Sequence, residues 1–443
     1  MSEVTQARID ETPPTTIADN LAVTEPRSGL GRQIDAACFS LARRLAKRAQ
    51  LGTIEVVGPF GGFTVGSGGP TVTVTVNDPR AYSEIFLHNS IGLAEGYIVG
   101  HWDTDDLVTV LRLVSGNLAG GLERMDRVAD AAAGPLSALH RLKPPTPHRD
   151  RRNVRAHYDL PAELYEAMLD GTTMMYSCAV FDDQDTSLED AQVAKLEMIC
   201  EKLELSEHDH LLEIGTGWGG LAIHAAATRG CRVTTTTLSV EQRKLATRRV
   251  AEAGLSDKIE ILGEDYRDLT GTYDKIASIE MIEAVDWRLY ETFFATCERL
   301  LDPQGLMLLQ AITITDLSFE RAKLREDFIR ALIFPGGCLP SLKALAAAMA
   351  KAGHLQVIGL EDIGEHYVTT LEAWRINFEA NFDAIKPAGY GEEFERLWTL
   401  YLCYCQAAFM DRHISDVQLL IGGSGVKRAP LGAIPSFARD SSA

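Results

Sequence analysis

The chain has 443 residues, of which 46% are hydrophobic and 24% charged, and a formal net charge of -19. That length exceeds what one hydrophobic core usually organises, so two domains are expected, and the composition is that of a globular protein rather than a disordered or membrane-spanning one. The acidic balance argues against a nucleic-acid partner.

The first 25 or so residues, rich in Thr, Pro and acids, read as a disordered tail. They carry neither the basic flank nor the apolar core of a signal peptide, and no run in the chain approaches the roughly 20 apolar residues that cross a bilayer, so a cytoplasmic location is expected. A smaller α+β domain is assigned to residues 26–134. It opens with a stretch carrying Arg27, Arg32, Arg43, Arg44, Lys47 and Arg48 against Asp35 alone, interleaved with Ile34, Phe39, Leu41 and Leu45. Such a basic amphipathic helix can lie in a headgroup layer at the inner face of a membrane, or it can be a solvated helix packed on its own domain. TIEVVGPFGGFTVGSGGPTVTVTV (residues 53–76) predicts short antiparallel strands with Gly-rich turns, and a helical stretch follows from about Ser83 to Leu122, broken near HWDTDD.

Residues 135–152 form a basic, Pro-containing linker. Its cluster, Arg141, Lys143, Arg149, Arg151 and Arg152 with Arg155 just beyond, either meets lipid phosphates or is merely solvated. From Asn153 to the end, residues 153–443, apolar runs alternate with helical patterns: HLLEIG, CRVTTTTL, KIEIL, YDKIASIE and LMLLQAITI. This alternation predicts a mostly parallel sheet with crossover helices, and SDVQLLIGG reads as a late strand at an antiparallel edge. The eight cysteines (Cys38, Cys178, Cys200, Cys231, Cys297, Cys338, Cys403 and Cys405) lack the paired spacing of a zinc site or a disulfide framework. They read as free, mostly buried thiols, and no metal is expected.

The first of these strands ends in Glu213-Ile-Gly215-Thr-Gly217-Trp218-Gly219-Gly220 and runs into the helical pattern LAIHAAATRG. Glycines there let the backbone turn tightly and approach a ligand at the carboxyl edge of the sheet. Alone, the loop also satisfies a dinucleotide fingerprint. A dinucleotide site wants an acid at the end of the second strand, whereas TTTTLSVEQ has none until Glu241, which favours an adenosyl amino-acid ligand.

Several segments together resemble the cyclopropane-fatty-acyl-phospholipid synthases and mycolic acid methyltransferases: HYDLPAELYEAMLD, MMYSCAVF, LLEIGTGWGG, TLSVEQ, SIEMIEAV, IFPGGCLPS and HYVTTLEAW, in that order from His157 to Trp374. The resemblance implies a Rossmann-like class I methyltransferase domain, with a mostly parallel seven-stranded sheet, that uses S-adenosylmethionine. It implies that Tyr176 and Ser177 lie against this cosubstrate. Glu213, Gly215, Thr216, Gly217, Trp218 and Gly219 would cradle its amino-acid portion; Thr237, Leu238, Ser239 and Gln242 would lie near the ribose, and Asp265 with Tyr266 near the adenine.

The implied reaction alkylates the cis double bond of an unsaturated fatty acyl chain in a phospholipid, giving a cyclopropane or a methyl- or methylene-branched chain. An isolated alkene is a poor nucleophile, so it must be held against the sulfonium methyl in a dry, apolar slot, and a base must then remove a proton. In the family a bound bicarbonate is that base, and Cys178, Glu283, Ile312 and Tyr367 align with the positions around it. Two departures stand out: Gln310 replaces a commoner His in the fifth strand, and Ala284 follows Glu283 where a His is common. Gln310 can exchange hydrogen bonds but cannot titrate near neutrality. Cys405 matches a cysteine sometimes assigned as catalytic, with plain core as the competing reading, and His157, His366 and Cys338 read as packing or supporting positions. The resemblance further implies peripheral membrane association and allows a homodimer. Two other readings are a methyltransferase that shares only the fold and acts on another small molecule, and a non-catalytic lipid-binding homologue.

Overall fold

In the computed structural model the described residues are 28–47, 51–118, 162–324 and 327–427. The expected tail and linker, with Arg27, Arg48, the basic cluster from Arg141 to Arg155 and His157, lie outside them.

The N-terminal part is a four-stranded sheet with helices, as expected. Helix α1 (Gly29–Ala46) is capped by Ser28, whose hydroxyl accepts from the Gly31 N–H at 3.2 Å. Strands β1 (Thr53–Val57), β2 (Phe63–Gly66), β3 (Thr71–Val76) and β4 (Trp102–Thr104) lie in the order β2-β1-β3-β4, with α2 (Arg80–Ile98) and α3 (Leu107–Leu118) around them. One expectation fails here: β1 and β3 pair parallel, not antiparallel. Strand β2 folds back on one side of β1, and the Gly-rich segment after it carries the chain across to the other side, where it runs alongside β1 again. Strand β4 interrupts the expected long helix at HWDTDD.

The second part is the expected α/β domain. After α4 (Ala162–Met168) and α5 (Leu188–Lys202), strands β5 (His210–Ile214), β6 (Arg232–Thr236), β7 (Ile259–Leu262), β8 (Tyr273–Ile279), β9 (Leu301–Ile314), β10 (Gln356–Asp362) and β11 (Ile414–Gly422) form one sheet in the order β10-β11-β9-β8-β5-β6-β7. Leu211 to Ile214 are all buried, because helices cover both faces of the central strand and it needs no polar side. Strand β11 is antiparallel as expected, but it lies inside the sheet between β10 and β9. The edge strand is β10, whose sequence QVIGLED is mostly exposed and gives little apolar signal.

Four further helices matter for the site: α6 (Gly220–Arg229) and α7 (Val240–Glu252) follow β5 and β6, and α8 (Gly364–Ile385) runs beside α9 (Glu392–Met410). Helix α9 also packs on the N-terminal part. Arg396 donates to the carbonyls of Tyr97 at 2.7 Å and Trp102 at 3.1 Å while lying 4.1 Å over the Tyr97 ring, and Arg112 donates to Asp411 at 2.8 Å. A continuous set of buried apolar side chains runs from Phe39 and Tyr82 through Leu164 to Trp398. All eight cysteines are free thiols, with Cys38 and Cys405 half-buried and the rest buried.

Candidate functional site

At the carboxyl ends of β5, β6 and β8, where parallel sheets of this order bind ligands, a cavity is lined by Tyr176, Ser177, Glu213, Gly215, Thr216, Gly217, Trp218, Thr237, Leu238, Gln242, Asp265 and Tyr266. These are twelve of the fourteen positions expected to bind the cosubstrate. The other two support it from behind. Gly219, at φ 87°, starts α6, and Ser239 caps α7 by accepting from the Gln242 N–H at 3.2 Å. The loop's glycines are required by backbone conformation: Gly215 has φ 107° and Gly217 φ 50°. A Cβ added at Gly217 would meet nothing within 4 Å, which leaves open space where the backbone borders the cavity.

Polar groups in this wall are anchored before any ligand arrives. Asp265 is clamped by Arg267, whose Nε and Nη2 donate at 2.8 and 2.6 Å. Thr237 donates to Gln242 at 2.7 Å. Thr235 donates to Glu213 at 2.6 Å, and burial pushes the Glu213 carboxyl up to about 8. Ser177 accepts from the buried Lys195 ammonium at 2.8 Å, and burial pulls Lys195 down to about 8. An ammonium-bearing ligand beside Glu213 would favour its ionised form. These groups fit S-adenosylmethionine: Glu213 beside the glycine loop suits an ammonium, and the polar side chains of Gln242 and Asp265 suit an adenosyl group.

Of the four positions expected around bicarbonate, Cys178 and Tyr367 converge, together with Gln310, on a carboxylate the sequence reading passed over, whereas Ile312 pairs with Glu283. Glu280 follows β8, is half-buried, and lines the cavity. Its Oε1 accepts from the Cys178 backbone N–H and from Gln310 Nε2, each at 2.8 Å, and its Oε2 accepts from the Tyr367 hydroxyl at 2.6 Å. Gln310 Nε2 also donates to Asp416 at 2.8 Å. Burial raises the pKa of Glu280, Asp416, Tyr367 and the Cys178 thiol alike, each toward its neutral form.

Glu283 stands one turn away. Its Oε1 accepts from the Ile312 N–H at 2.5 Å, its Oε2 is buried with no hydrogen-bond partner among the described residues, and burial reinforced by the charge of Glu280 pushes it up to about 8. Cys405 lies on α9, one turn beyond Tyr401. Burial raises its pKa, which leaves a neutral thiol, and it does not line the cavity. His366 accepts from the Phe181 N–H at 3.3 Å, and the Cys338 carbonyl accepts from the Tyr290 hydroxyl at 2.8 Å; both are supporting positions.

Aromatic rings close the inner side. Tyr176 shares a 2.8 Å hydrogen bond with Tyr401 and packs on Trp374, Tyr165 packs on Trp218, and Tyr367 stacks on Phe409 at 4.4 Å. Besides Glu280, the lining that sequence reasoning missed is largely apolar: Met174, Met175, Ile279, Met281, Val285 and Leu289.

Residues 146–419 match the family model described as mycolic acid cyclopropane synthetase. The chain is 36% identical over 413 residues to the tuberculostearic acid methyltransferase UfaA1 of Mycobacterium tuberculosis, covering 89% of this chain and 92% of that protein. It is 37% identical over 357 residues to the cyclopropane-fatty-acyl-phospholipid synthase of Escherichia coli, covering 80% and 87%. Among solved structures it resembles the mycolic acid cyclopropane synthase CmaA1 complexed with SAH and CTAB. There the TM-score is 0.57 at 30% identity, over 64% of this chain and 99% of that one.

Proposed function

The chain belongs to the mycolic acid cyclopropane synthetase family of S-adenosylmethionine-dependent methyltransferases, and from that membership we infer that it alkylates the cis double bond of an unsaturated fatty acyl chain carried by a phospholipid. The observation that carries this reading is the cavity itself. The glycine loop and Asp265 lie at one side, and an apolar and aromatic wall containing the Glu280 carboxylate lies at the other. Carbon alkylation needs that combination: a slot without water for a weak nucleophile, rings whose faces stabilise positive charge, and an anionic group to receive a proton.

S-adenosylmethionine supplies the electrophilic methyl. The protein's own groups do the rest. The Gly215–Gly219 loop and Gln242 position the cosubstrate, Tyr176, backed by Trp374, presents a ring face to the developing cation, and the acids of the site control where its proton goes. Relatives carrying a fatty-acid methyltransferase or phospholipid synthase name support a lipid substrate. No helix among the described residues is long and apolar enough to cross a membrane. The exposed cations Arg32, Arg43, Arg44 and Lys47 of α1 support substrate access by peripheral association at the inner face of a membrane.

Mass spectrometry of membrane lipids from a host lacking such enzymes, with and without this chain, tests the reading. Unsaturated phospholipids should gain one methylene unit, and fragmentation then distinguishes ring from exomethylene products. Binding of S-adenosylmethionine with no altered lipid would instead support a non-catalytic lipid-binding protein.

A further inference from the structure

Alkylation of an alkene ends with the loss of a proton, so the reading above requires a base, and this inference rests on that reading. The family resemblance implies a bound bicarbonate, but the donors that would hold it are already engaged. The Cys178 N–H and the Tyr367 hydroxyl both end on Glu280, and the Ile312 N–H ends on Glu283. A bicarbonate inserted here would set another anion against two carboxyl groups in a cavity lined largely by apolar side chains, an arrangement that like-charge repulsion disfavours. These residues do not fit the ion.

The backbone adds an independent sign. Glu280 has φ 48°, in the left-handed region that costs a non-glycine residue free energy, and its N–H is tied to the Gln310 carbonyl at 2.8 Å. Strain of this kind persists where the surroundings impose it and clusters at active sites. Here it accompanies a carboxylate that lines the cosubstrate cavity and collects three donors.

We propose that the Glu280 carboxylate is the catalytic base, occupying with its own oxygens the place an external bicarbonate would take. The π electrons of the alkene form a carbon–carbon bond to the sulfonium methyl as its carbon–sulfur bond breaks, which leaves S-adenosylhomocysteine and a carbocation. A C–H bond beside the cation, or in the new methyl group, then releases its proton to Glu280, and its electrons close the ring or form a new double bond. The proton leaves Glu280 for solvent after product departs. A C–H next to a carbocation is strongly acidic, so a carboxylate is basic enough, and its position matters more than its strength.

Burial raises Glu280 too, and the Tyr367 hydroxyl, the Cys178 N–H and the Lys195 charge act against that rise. Asp416 is raised well above the usual carboxyl range by burial and by Glu280, so the proton this pair shares rests on Asp416. Gln310 holds the two acids together, and the charge of Lys195 favours the anion on Glu280.

The test compares the full-length wild type with Glu280→Gln and Glu280→Gly on vesicles of a dioleoyl phospholipid, in carbon-dioxide-free buffer and with bicarbonate added. Wild-type turnover should be the same in both. Glu280→Gln should lose about 100-fold or more, the range of a lost acid-base group, with unchanged calorimetric affinity for S-adenosylmethionine. Glu280→Gly relieves the backbone strain and frees the Cys178 and Tyr367 donors, so it should fold and respond to added bicarbonate. Wild-type turnover that collapses without bicarbonate and returns with it would overturn the assignment, as would full activity of Glu280→Gln. In either case alkylation itself still occurs and the functional reading stands. A wild type that alkylates no acyl chain under any condition would sink both.

Discussion

Gln418 and Gln310 face each other across paired strands, and the Gln418 amide nitrogen donates to the Gln310 side-chain carbonyl at 3.0 Å. That bond decides which end of the Gln310 amide points at the acids. With its oxygen engaged, Gln310 must present Nε2 to Glu280 and Asp416. Gln418 is in turn oriented by Lys202, which donates to its Oε1 at 2.6 Å and pairs with Glu361. A non-titrating amide thus stands between the two acids, with its polarity set by the next strand.

Gln418→Leu should therefore loosen the base without touching the cosubstrate. One hydrogen bond of about 1 kcal/mol corresponds to roughly fivefold in rate, so turnover should fall by about that factor while affinity for S-adenosylmethionine stays constant. Steady-state kinetics beside calorimetry checks this. A loss of affinity without a loss of turnover would mean that Gln418 serves only to hold the sheet together.

At the glycine loop, Gly217→Val should abolish cosubstrate binding. A Cβ there meets nothing within 4 Å of the protein, so the side chain would stand in the open space beside the cavity, and φ 50° suits no β-branched residue. Titration calorimetry on a variant that keeps its circular dichroism spectrum is the measurement. Retained affinity would place the cosubstrate elsewhere.

The buried acids also make stability depend on pH. Glu283 and Glu213 are each raised from 4.5 to about 8. Between those values the folded protein keeps protons that the unfolded chain has released, so stability falls as pH rises through this window. Glu283→Gln stays neutral throughout. Its melting temperature should gain on the wild type as pH rises from the lower to the upper end of the window, by an amount worth a few kcal/mol, since each tenfold change in proton affinity is worth about 1.4 kcal/mol. Parallel melting curves for the two proteins would show that Glu283 is not buried as an acid. Because a glutamine resembles the protonated acid, this variant should also keep more turnover than Glu280→Gln.

Much of this was legible in the sequence, for physical reasons. Central strands such as β5 and β9 announce themselves because both faces are buried and apolar residues dominate, as in Leu306 to Leu309, whereas β10 is an exposed edge with a Gly and two acids, and its signal vanishes. The glycine loop was readable because its positive φ angles limit the residue types allowed. Glu280 was not. It sits in the quoted segment SIEMIEAV, three residues before Glu283, and only tertiary pairing places Tyr367 and Gln310 on it and leaves Glu283 with Ile312. The available hint was chemical: two acids one turn apart after a parallel strand, and a third, Asp416, at the head of a late apolar run.

The last prediction concerns α1, for which the sequence left open a solvated helix and a membrane-lying one. Its inner side is settled by burial: Asp35 and Phe39 are buried, and Phe39 packs against Phe63 and Tyr82. Its outer side carries Leu30, Ile34 and Leu41, which are exposed at 68%, 41% and 43%. At about 100° per residue these three fall within roughly 40° of one another, nearly opposite Phe39. Arg32, Arg43, Arg44 and Lys47 are exposed on the same helix and its C-terminal end. By the same spacing Arg44 borders this stripe while Arg32 and Arg43 fall on the far side, so the helix offers an apolar stripe and a separate set of exposed cations, both of which a surface of anionic headgroups can engage despite a net charge of -19 for the whole chain. Association with vesicles containing an anionic phospholipid should weaken with added salt, since screening acts over about 10 Å at 0.1 M ionic strength. Replacing Arg43, Arg44 and Lys47 by Gln should weaken it by roughly 100-fold, at about 1 kcal/mol per basic residue, and should flatten the salt dependence. Replacing Leu30, Ile34 and Leu41 by Ser should weaken it further while leaving the salt slope intact. Binding that ignores both salt and these substitutions would assign the membrane contact to another surface, and α1 would then be a packed, solvated helix and nothing more.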